Sequence, residues 1–584
     1  MGESNNSIVI ELKEKFLKVN YLMKEASKTD PENEPYKSKY EARDILNDMT
    51  NLIVQHNQEE IAQNQLLDLL AVVCCLSSII AYDVEEISTG TELAKKAYDM
   101  VANAMSPSRI LCAMTCLNNL GFWASNQENY SPAQEYLELS ESLYIRYNSE
   151  IKAPALEFEE LFTGEKSFKN QDNDYEKCHT QTLFYLAQVY AKNNNPSKAA
   201  KYCHVTLKRQ LTNIEDVIDW ALNSATLSQF LIEQNAFVAA RHHLAASTVI
   251  MENYSKKIDE LLSADPENEE LKAKTETARH RLADIYRCWA KYSIFLLNGS
   301  KERLLSSEGD KVDPPPQPPE ILKGLEFTSL KEKTKELEQS VTVDFILTYE
   351  DAKPLFQKSQ EWLNLAKGYY TLEDHASEHA AIVQDSSKLY HLLSFYQADE
   401  GIQCKLHKRR IDSLISVVNS LNPTYYMKVC REMWFEIGET CMTMADIKAS
   451  QAKESNDNKN VLHCASKVKN LSLQGIKYLE DFVKSFILKS KEEKYPAEFE
   501  KTIILSYMYL GHLYATLNEP DKNAMIGFQE ESLRCYGAII DYCTAHPDVK
   551  KTYPEEYSIC LEMVDLIPLK ITRMKKMFNK SQPN

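Results

Sequence analysis

The chain has 584 residues, a formal net charge of −18 and only 14 glycines. That length exceeds what one compact core fills, so the chain must form several domains or an elongated array. The acidic balance excludes nucleic acid and anionic membrane as main ligands, because both need a basic footprint, and the scattered glycines leave no loop to cradle a phosphate.

From the N-terminus, Met1-Gly2-Glu3-Ser4-Asn5-Asn6 lacks the charged-then-apolar profile of a signal peptide. Amphipathic helix patterns follow, broken at Asp30-Pro31. The stretch Leu66 to Ile80 is the most apolar, yet it contains Asp68, Ser77 and Ser78 and falls short of the roughly 20 residues of a bilayer span. A buried helix is expected there. Most of the 14 cysteines sit within helical patterns as small apolar fillers, which fits a reducing, cytoplasmic setting better than a disulfide framework.

One spacing of small and large residues then recurs three times. It reads Leu117…Leu120-Gly121…Ala124…Ala133…Leu137…Ser140, then Leu183…Leu186-Ala187…Tyr190…Ala199…Cys203…Thr206, then Ser224…Leu227-Ser228…Leu231…Ala240…Leu244…Ser247. A small residue twelve positions before a second small residue lets two helices joined by a short turn touch backbone to backbone. This is the tetratricopeptide lattice. No helix pair of this kind buries its apolar face alone, so the pairs stack, and the predicted fold is an all-α, curved solenoid of antiparallel helix pairs with an extended concave surface.

Between the first two repeats, Ala153 to Asp174 is acidic, aromatic and aperiodic, and reads as a long loop. A charged helix ends near Leu297, and Asp313-Pro314-Pro315-Pro316-Gln317-Pro318-Pro319 can be neither helix nor strand interior. The expected organisation is an N-terminal solenoid over 1–305, a proline-rich linker over 306–340 with a polar helix from Glu326 to Ser340, and a C-terminal helical array over 341–584. Weaker lattice echoes at Ile437-Gly438…Cys441 and Leu510-Gly511…Tyr514 lack the second alanine, so longer, less regular helices are expected in that half.

Candidate chemistry is thin. His375-Ala-Ser-Glu378-His379 spells H-x-x-E-H, which in some metalloproteases places two zinc ligands and a base on one helix, but a catalytic zinc needs a third ligand in a shaped cleft and a solvated helix face is the expectation. Cys112 and Cys116 share a helix face, and Cys178-His179 and Cys203-His204 are adjacent pairs, yet no zinc-type spacing exists. No metal, cofactor or catalytic residue is assigned. His407-Lys408-Arg409-Arg410 reads as a charged helix face or a partner contact.

Tyr185-Leu-Ala-Gln-Val-Tyr190, Tyr202-Cys-His-Val-Thr-Leu-Lys-Arg-Gln-Leu211, Ala225-Thr-Leu-Ser-Gln-Phe230, Cys404-Lys-Leu-His-Lys-Arg-Arg-Ile411 and Leu421-Asn-Pro-Thr-Tyr-Tyr426 resemble the KIF-binding protein family. The resemblance runs nearly end to end, from Glu34-Pro-Tyr-Lys-Ser-Lys-Tyr40 to Ile540-Asp-Tyr-Cys-Thr-Ala-His-Pro547. It implies a non-enzymatic, cytoplasmic and cytoskeleton-associated protein that binds kinesin motor domains in a concave face and keeps them off microtubules, with roles in axon growth and the spindle. It implies a right-handed helical solenoid in two subdomains joined by a linker helix, and it places kinesin-contacting residues at Tyr185, Gln188, Gln210 and Thr226. Tyr185 and Thr226 both precede the Leu of their repeats, and Asn119 holds that place in the first. The first inter-helix region is shorter than in vertebrate members and lacks their acidic, Pro/Gly-rich insertion, so contacts from that loop do not carry over. No nucleic acid, membrane insertion or small-molecule substrate is implied. The rival expectation is a general tetratricopeptide scaffold joining cargo or chaperones without blocking a motor.

Overall fold

The computed structural model describes residues 2–56, 63–102, 105–165, 173–214, 216–306, 314, 316–455, 457–486, 493–519 and 521–580. Among them are 22 α-helices and no strand. In chain order the helices are α1 (Gly2–Lys24), α2 (Lys37–His56), α3 (Gln63–Asp83), α4 (Ile87–Met100), α5 (Ile110–Asn126), α6 (Tyr130–Glu150), α7 (Phe158–Thr163), α8 (Asp174–Lys192), α9 (Pro196–Gln210), α10 (Val217–Glu233) and α11 (Phe237–Ala264). They continue as α12 (Glu269–Ser306), α13 (Lys331–Gln339), α14 (Tyr349–Tyr369), α15 (Ala376–Phe395), α16 (Glu400–Val418), α17 (Pro423–Glu454), α18 (Asn458–Lys484), α19 (Glu500–Thr516), α20 (Lys522–Ala545), α21 (Pro547–Thr552) and α22 (Pro554–Lys580). The chain forms two compact units, residues 1–243 with 317–331, and 244–316 with 332–584. The divisions fall within α11 and inside the 306–340 segment; Asp313 and Pro315 of the proline run lie outside the described residues.

In the first unit the repeat lattice is realised in atoms. A Cβ added at Gly121 would lie 2.6 Å from Leu137 Cγ and 3.3 Å from the Ala133 carbonyl oxygen, so α5 and α6 meet at the predicted small residues. Each repeat turns in the same way. Glu128, Asn194 and Asn235, each seven positions after the first small residue, have left-handed φ values of 62°, 53° and 58°. The following N–H groups donate back into the helix, Asn129 to the Ala124 carbonyl and Asn195 to that of Tyr190 at 2.9 Å, and Ala236 to that of Leu231 at 2.8 Å. This Schellman closure satisfies carbonyls that a helix end otherwise leaves orphaned.

A fourth repeat precedes the three legible ones. Glu85 has φ 69°, Glu86 N–H donates to the Ala81 carbonyl at 2.8 Å, and a Cβ on Gly90 would approach the Ser78 carbonyl oxygen to 3.0 Å. Here Ser77, Gly90 and Ala94 stand where the other repeats carry larger residues, so α3 and α4 pack closely without the leucine signature. The helix α3 contains an 18-residue apolar window, Leu66–Asp83, that meets the length and composition of a membrane span, with 61% of it buried. It packs against α2, α4 and α5. The Cys75, Cys112 and Cys116 sulfurs lie within 4.8 Å of one another, all inside the apolar core that α3 shares with α5.

Two expectations are corrected. The aperiodic segment 153–174 is not all loop, because it contains α7, whose start is closed by a capping box between Glu157 and Glu160. Phe162 of α7 is buried with its ring stacked 4.4 Å from Phe16. The run 407–410 is not a uniformly charged face: His407 and Arg410 are buried. Arg410 bridges α16 to α15 and α17 through Ser387 Oγ and the Glu436 carboxylate, each at 2.9 Å. Lys408 alone of the run makes the exposed ion pair such a face would show, with Asp412 at 2.6 Å. Of the polar helix expected over Glu326 to Ser340, residues 331–339 are α-helical, preceded by a 3₁₀ turn.

The second unit carries the longer helices expected, α17 with 32 residues and α18 with 27. Glycines again set the approach, since a Cβ on Gly475 would stand 2.8 Å from Leu513 Cδ1 and 3.1 Å from Cys441 Cβ. His379 Nδ1 lies 2.8 Å from the Tyr370 carbonyl oxygen, and among the described residues His375, Glu378 and His379 do not gather into a metal-holding group.

Buried histidines shape the first unit. Phe327, fully buried, inserts between the rings of His204, Trp220 and His243 at 4.9, 5.3 and 4.6 Å, and its N–H donates to His242 Nε2 at 2.7 Å. That insertion explains why residues 317–331 join this unit. His204 Nδ1 and His243 Nε2 are 3.0 Å apart, and Ser224 Oγ lies 3.1 Å from His243 Nδ1. Burial pushes His243 well below the ordinary histidine range and His204 down to about 4. His179, stacked on Tyr144 with both ring nitrogens unpartnered in the protein, is pushed down to about 3 by burial and by Arg209.

Two outcomes follow from this packing. Gly121→Val is expected to destabilise the protein by about 1–3 kcal/mol through overpacking against Leu137, whereas Glu128→Gly, which relieves a left-handed non-glycine, is expected to raise stability by up to about 1 kcal/mol; urea denaturation of both variants checks the pair. Because these histidines are neutral when folded, the stability they contribute is complete above the unfolded value near pH 6.5 and is lost as pH falls toward 4 and then 3. His179→Phe is expected to keep neutral-pH stability within about 1 kcal/mol and to flatten part of that acid limb, read from melting temperatures between pH 7 and pH 4.

Candidate partner-binding site

The expected contact residues all fall in the first unit, on three consecutive helices. Tyr185 and Gln188 are on α8, Gln210 ends α9, and Thr226 is on α10. The starts of all three helices are fixed by side-chain caps: Asn173 Oδ1 accepts from Tyr175 N–H at 2.9 Å, Asn195 Oδ1 from Lys198 N–H at 3.4 Å and Asp216 Oδ1 from Asp219 N–H at 2.9 Å.

Polar contacts inside the packing then fix the rotation of α8. Thr182 Oγ1 donates to Asn118 Oδ1 at 2.9 Å and lies 3.2 Å from Ser140 Oγ, while Asn118 Nδ2 donates to the Cys178 carbonyl at 2.9 Å. All three polar residues are buried, so a register slip would strand them at a cost of about 1–3 kcal/mol each. The next turn carries Tyr185, half-buried, its ring stacked 5.0 Å from Phe122 of α5. Burial, with Cys178 nearby, raises its phenol above the ordinary tyrosine range.

The end of α9 is held from two sides. Arg209 donates from Nε to Thr180 Oγ1 at 3.1 Å, forms an ion pair with Glu176, and sits 5.6 Å over the Tyr144 ring. On the other side the indole N–H of Trp220 donates to the Leu207 carbonyl at 2.9 Å. Gln210 lies between these two fastenings. A groove of about 780 Å³ opens there, with Glu176, Gln181 and Phe184 of α8 on one wall and Asp219 and Asn223 of α10 on the other, and it includes Gln210.

Gln210 is therefore the only one of the four expected residues that lines the groove itself. Gln188 lies one helical turn beyond Phe184 on the exposed stripe Gln181, Phe184, Gln188; Thr226 lies one turn beyond Asn223 on the stripe Asp219, Asn223, Thr226. Tyr185 stands beside the first stripe, on the side of α5. Gln188, Gln210 and Thr226 are exposed, and among the described residues the side chains of all four spend no hydrogen bond. Asn119, the first-repeat counterpart of Tyr185 and Thr226, differs: it is half-buried, with its Nδ2 atom buried and unpartnered.

Sequence reasoning missed the residues that build the groove. Phe184 is a large apolar side chain 45% exposed on the groove wall, and its exposure on an otherwise polar stripe is the signal that could have singled it out. Arg209 and Trp220 gave no such signal, because their partners Glu176 and Leu207 are identified only by the packing.

A family model described as "KIF-1 binding protein C terminal" matches residues 218–574. A KIF-binding protein of Drosophila melanogaster is 31% identical over 610 residues, covering 98% of this chain and 98% of that protein. The KIF-binding protein of Homo sapiens is 30% identical over 625 residues, covering 97% and 98%. A solved structure named "Kinesin binding protein (KBP)" superposes with a TM-score of 0.62 at 27% identity, covering 96% of this chain and 98% of the other. With the family model matched over more than half of the chain and relatives 30–31% identical over nearly its whole length, the chain belongs to the KIF-binding protein family.

Proposed function

We propose that the stripes of α8 and α10, with the groove at the end of α9, bind the motor domain of kinesins, and that occupancy keeps the motor off microtubules. The protein would then act in the cytoplasm on kinesin-driven transport, axon growth and spindle organisation, by exclusion and without catalysis. The observation that carries this reading is the set Tyr185, Gln188, Gln210 and Thr226: four polar side chains on adjoining helices, none of them hydrogen-bonded among the described residues. Membership of a family whose curated members are named for binding KIF proteins supplies the partner class.

Tubulin is acidic and the motor surface that docks on it is basic, so a chain at −18 offers that surface a competing field. Charge of this diffuse kind sets the encounter rate, and buried groups such as the Tyr185 ring set the dissociation rate.

The test is co-sedimentation of purified kinesin motor domains with microtubules, with and without this protein. Wild type is expected to move the responsive motors from pellet to supernatant, and Tyr185→Ala with Thr226→Ala to leave them in the pellet while circular dichroism stays unchanged. Motors that remain in the pellet with folded wild type would contradict the reading. Added salt is expected to slow association, and Tyr185→Ala to speed dissociation.

A further inference from the structure

The helix α22 buries one face and leaves a second apolar face uncovered. Cys560, Ile567 and Ile571 are buried in the core shared with α20. On the opposite side Ile559, Leu566 and Leu569 are 48%, 58% and 68% exposed. These three fall on one stripe with three charged residues, Ile559, Glu562, Leu566, Leu569, Arg573 and Lys576, all exposed. The steps of three, four, three, four and three residues are the a/d spacing of a coiled-coil seam. Among the described residues Glu562, Arg573 and Lys576 form no ion pair or side-chain hydrogen bond.

The order of charges along this stripe points to its occupant. The acids of α22 (Glu555, Glu556, Glu562 and Asp565) all precede Leu566, whereas Lys570, Arg573, Lys575 and Lys576 follow it. The helix dipole does not explain the two that matter, since it acts within the first and last turns and Glu562 and Arg573 lie outside both. No residue three or four positions from either carries the opposite charge.

Set antiparallel to itself about a two-fold axis between Leu566 and Leu569, the stripe is self-complementary. Leu566 meets Leu569 of the second copy, Glu562 meets Arg573, and Ile559 meets the aliphatic stem of Lys576, each contact occurring twice by symmetry. We propose that α22 is a homodimerisation helix that pairs antiparallel with α22 of a second copy of this chain. The central leucines supply the apolar core of the contact, and the two Glu562–Arg573 pairs fix its direction, because a parallel arrangement would set like charges against each other. An anionic bilayer fits the stripe less well, since Glu562 and Arg573 interrupt its apolar residues and the body of the chain is acidic. One helix on each side makes a small interface, so the dimer is weak and concentration-dependent.

Sedimentation velocity on the full chain, up to about 100 μM as suits a weak interface, tests this with three variants whose circular dichroism should match wild type. Glu562→Arg and Arg573→Glu each place like charges in two symmetric contacts and are expected to raise the dimer dissociation constant at least about tenfold. Combining both substitutions restores opposite charges and is expected to return the constant close to wild type. A chain that stays monomeric over the whole range, or a dimer that ignores both single substitutions, would overturn the proposal. So would failure of the combined variant to recover. Binding of wild type to phosphatidylserine vesicles, lost in Leu566→Ser with Leu569→Ser while sedimentation shows only monomer, would assign the stripe to a membrane instead.

Discussion

The close approach of two helix backbones at small residues twelve positions apart is the constraint on which the first unit depends. Where Gly121 faces Leu137 and Gly90 faces the Ser78 carbonyl, no larger side chain fits without displacing its neighbour. The approach is held by a turn whose left-handed residue lets the chain reverse while its backbone groups remain bonded. Once both features repeat, each helix is fixed in rotation as well as in position. Rotation decides which stripe faces outward, so the outward chemistry of α8 and α10 is a consequence of contacts on their buried sides.

That logic explains how the buried contacts set a defined pattern of polar groups on the surface. The buried Asn118, Thr182 and Ser140 set bond to one another and to backbone, and their geometry is spent on register. One turn further along, Tyr185 keeps its ring against Phe122, and its hydroxyl has no hydrogen bond among the described residues. Polar groups of the first kind make the scaffold rigid, and those of the second kind are available to a partner at little ordering cost, because α8 is already immobilised. The Arg209 and Trp220 fastenings do the same for Gln210, although it closes a helix, where fraying would otherwise be expected.

Much of this was legible in the residues. Three repeats, the helical class and the longer C-terminal helices follow from spacing and composition, and the family follows from runs such as Tyr185 to Tyr190. The fourth repeat was hidden because Ser77 and Ala94 remove the large residues that mark the others while keeping the small ones that matter. Helix α7 spans six residues, less than two turns, so periodicity cannot reveal it, and its Glu157 and Glu160 look like ordinary acids. Arg410 reads as part of a basic run until Glu436, 26 positions later, is found beside it. Phe327 gives no hint that it fills a space among three histidines. In each case the missing information is a pairing between distant positions, which local periodicity does not carry. The four expected contact residues came from resemblance, and the groove beside them from the fold.

Hydrogen–deuterium exchange on the full chain, alone and with a kinesin motor domain, tests the central claim most directly. The account predicts that added protection concentrates on α8, the end of α9 and α10, while the α5 and α6 backbone, already closed by packing, changes little. Protection that falls elsewhere and leaves these three helices unchanged, with the motor demonstrably bound, would contradict it.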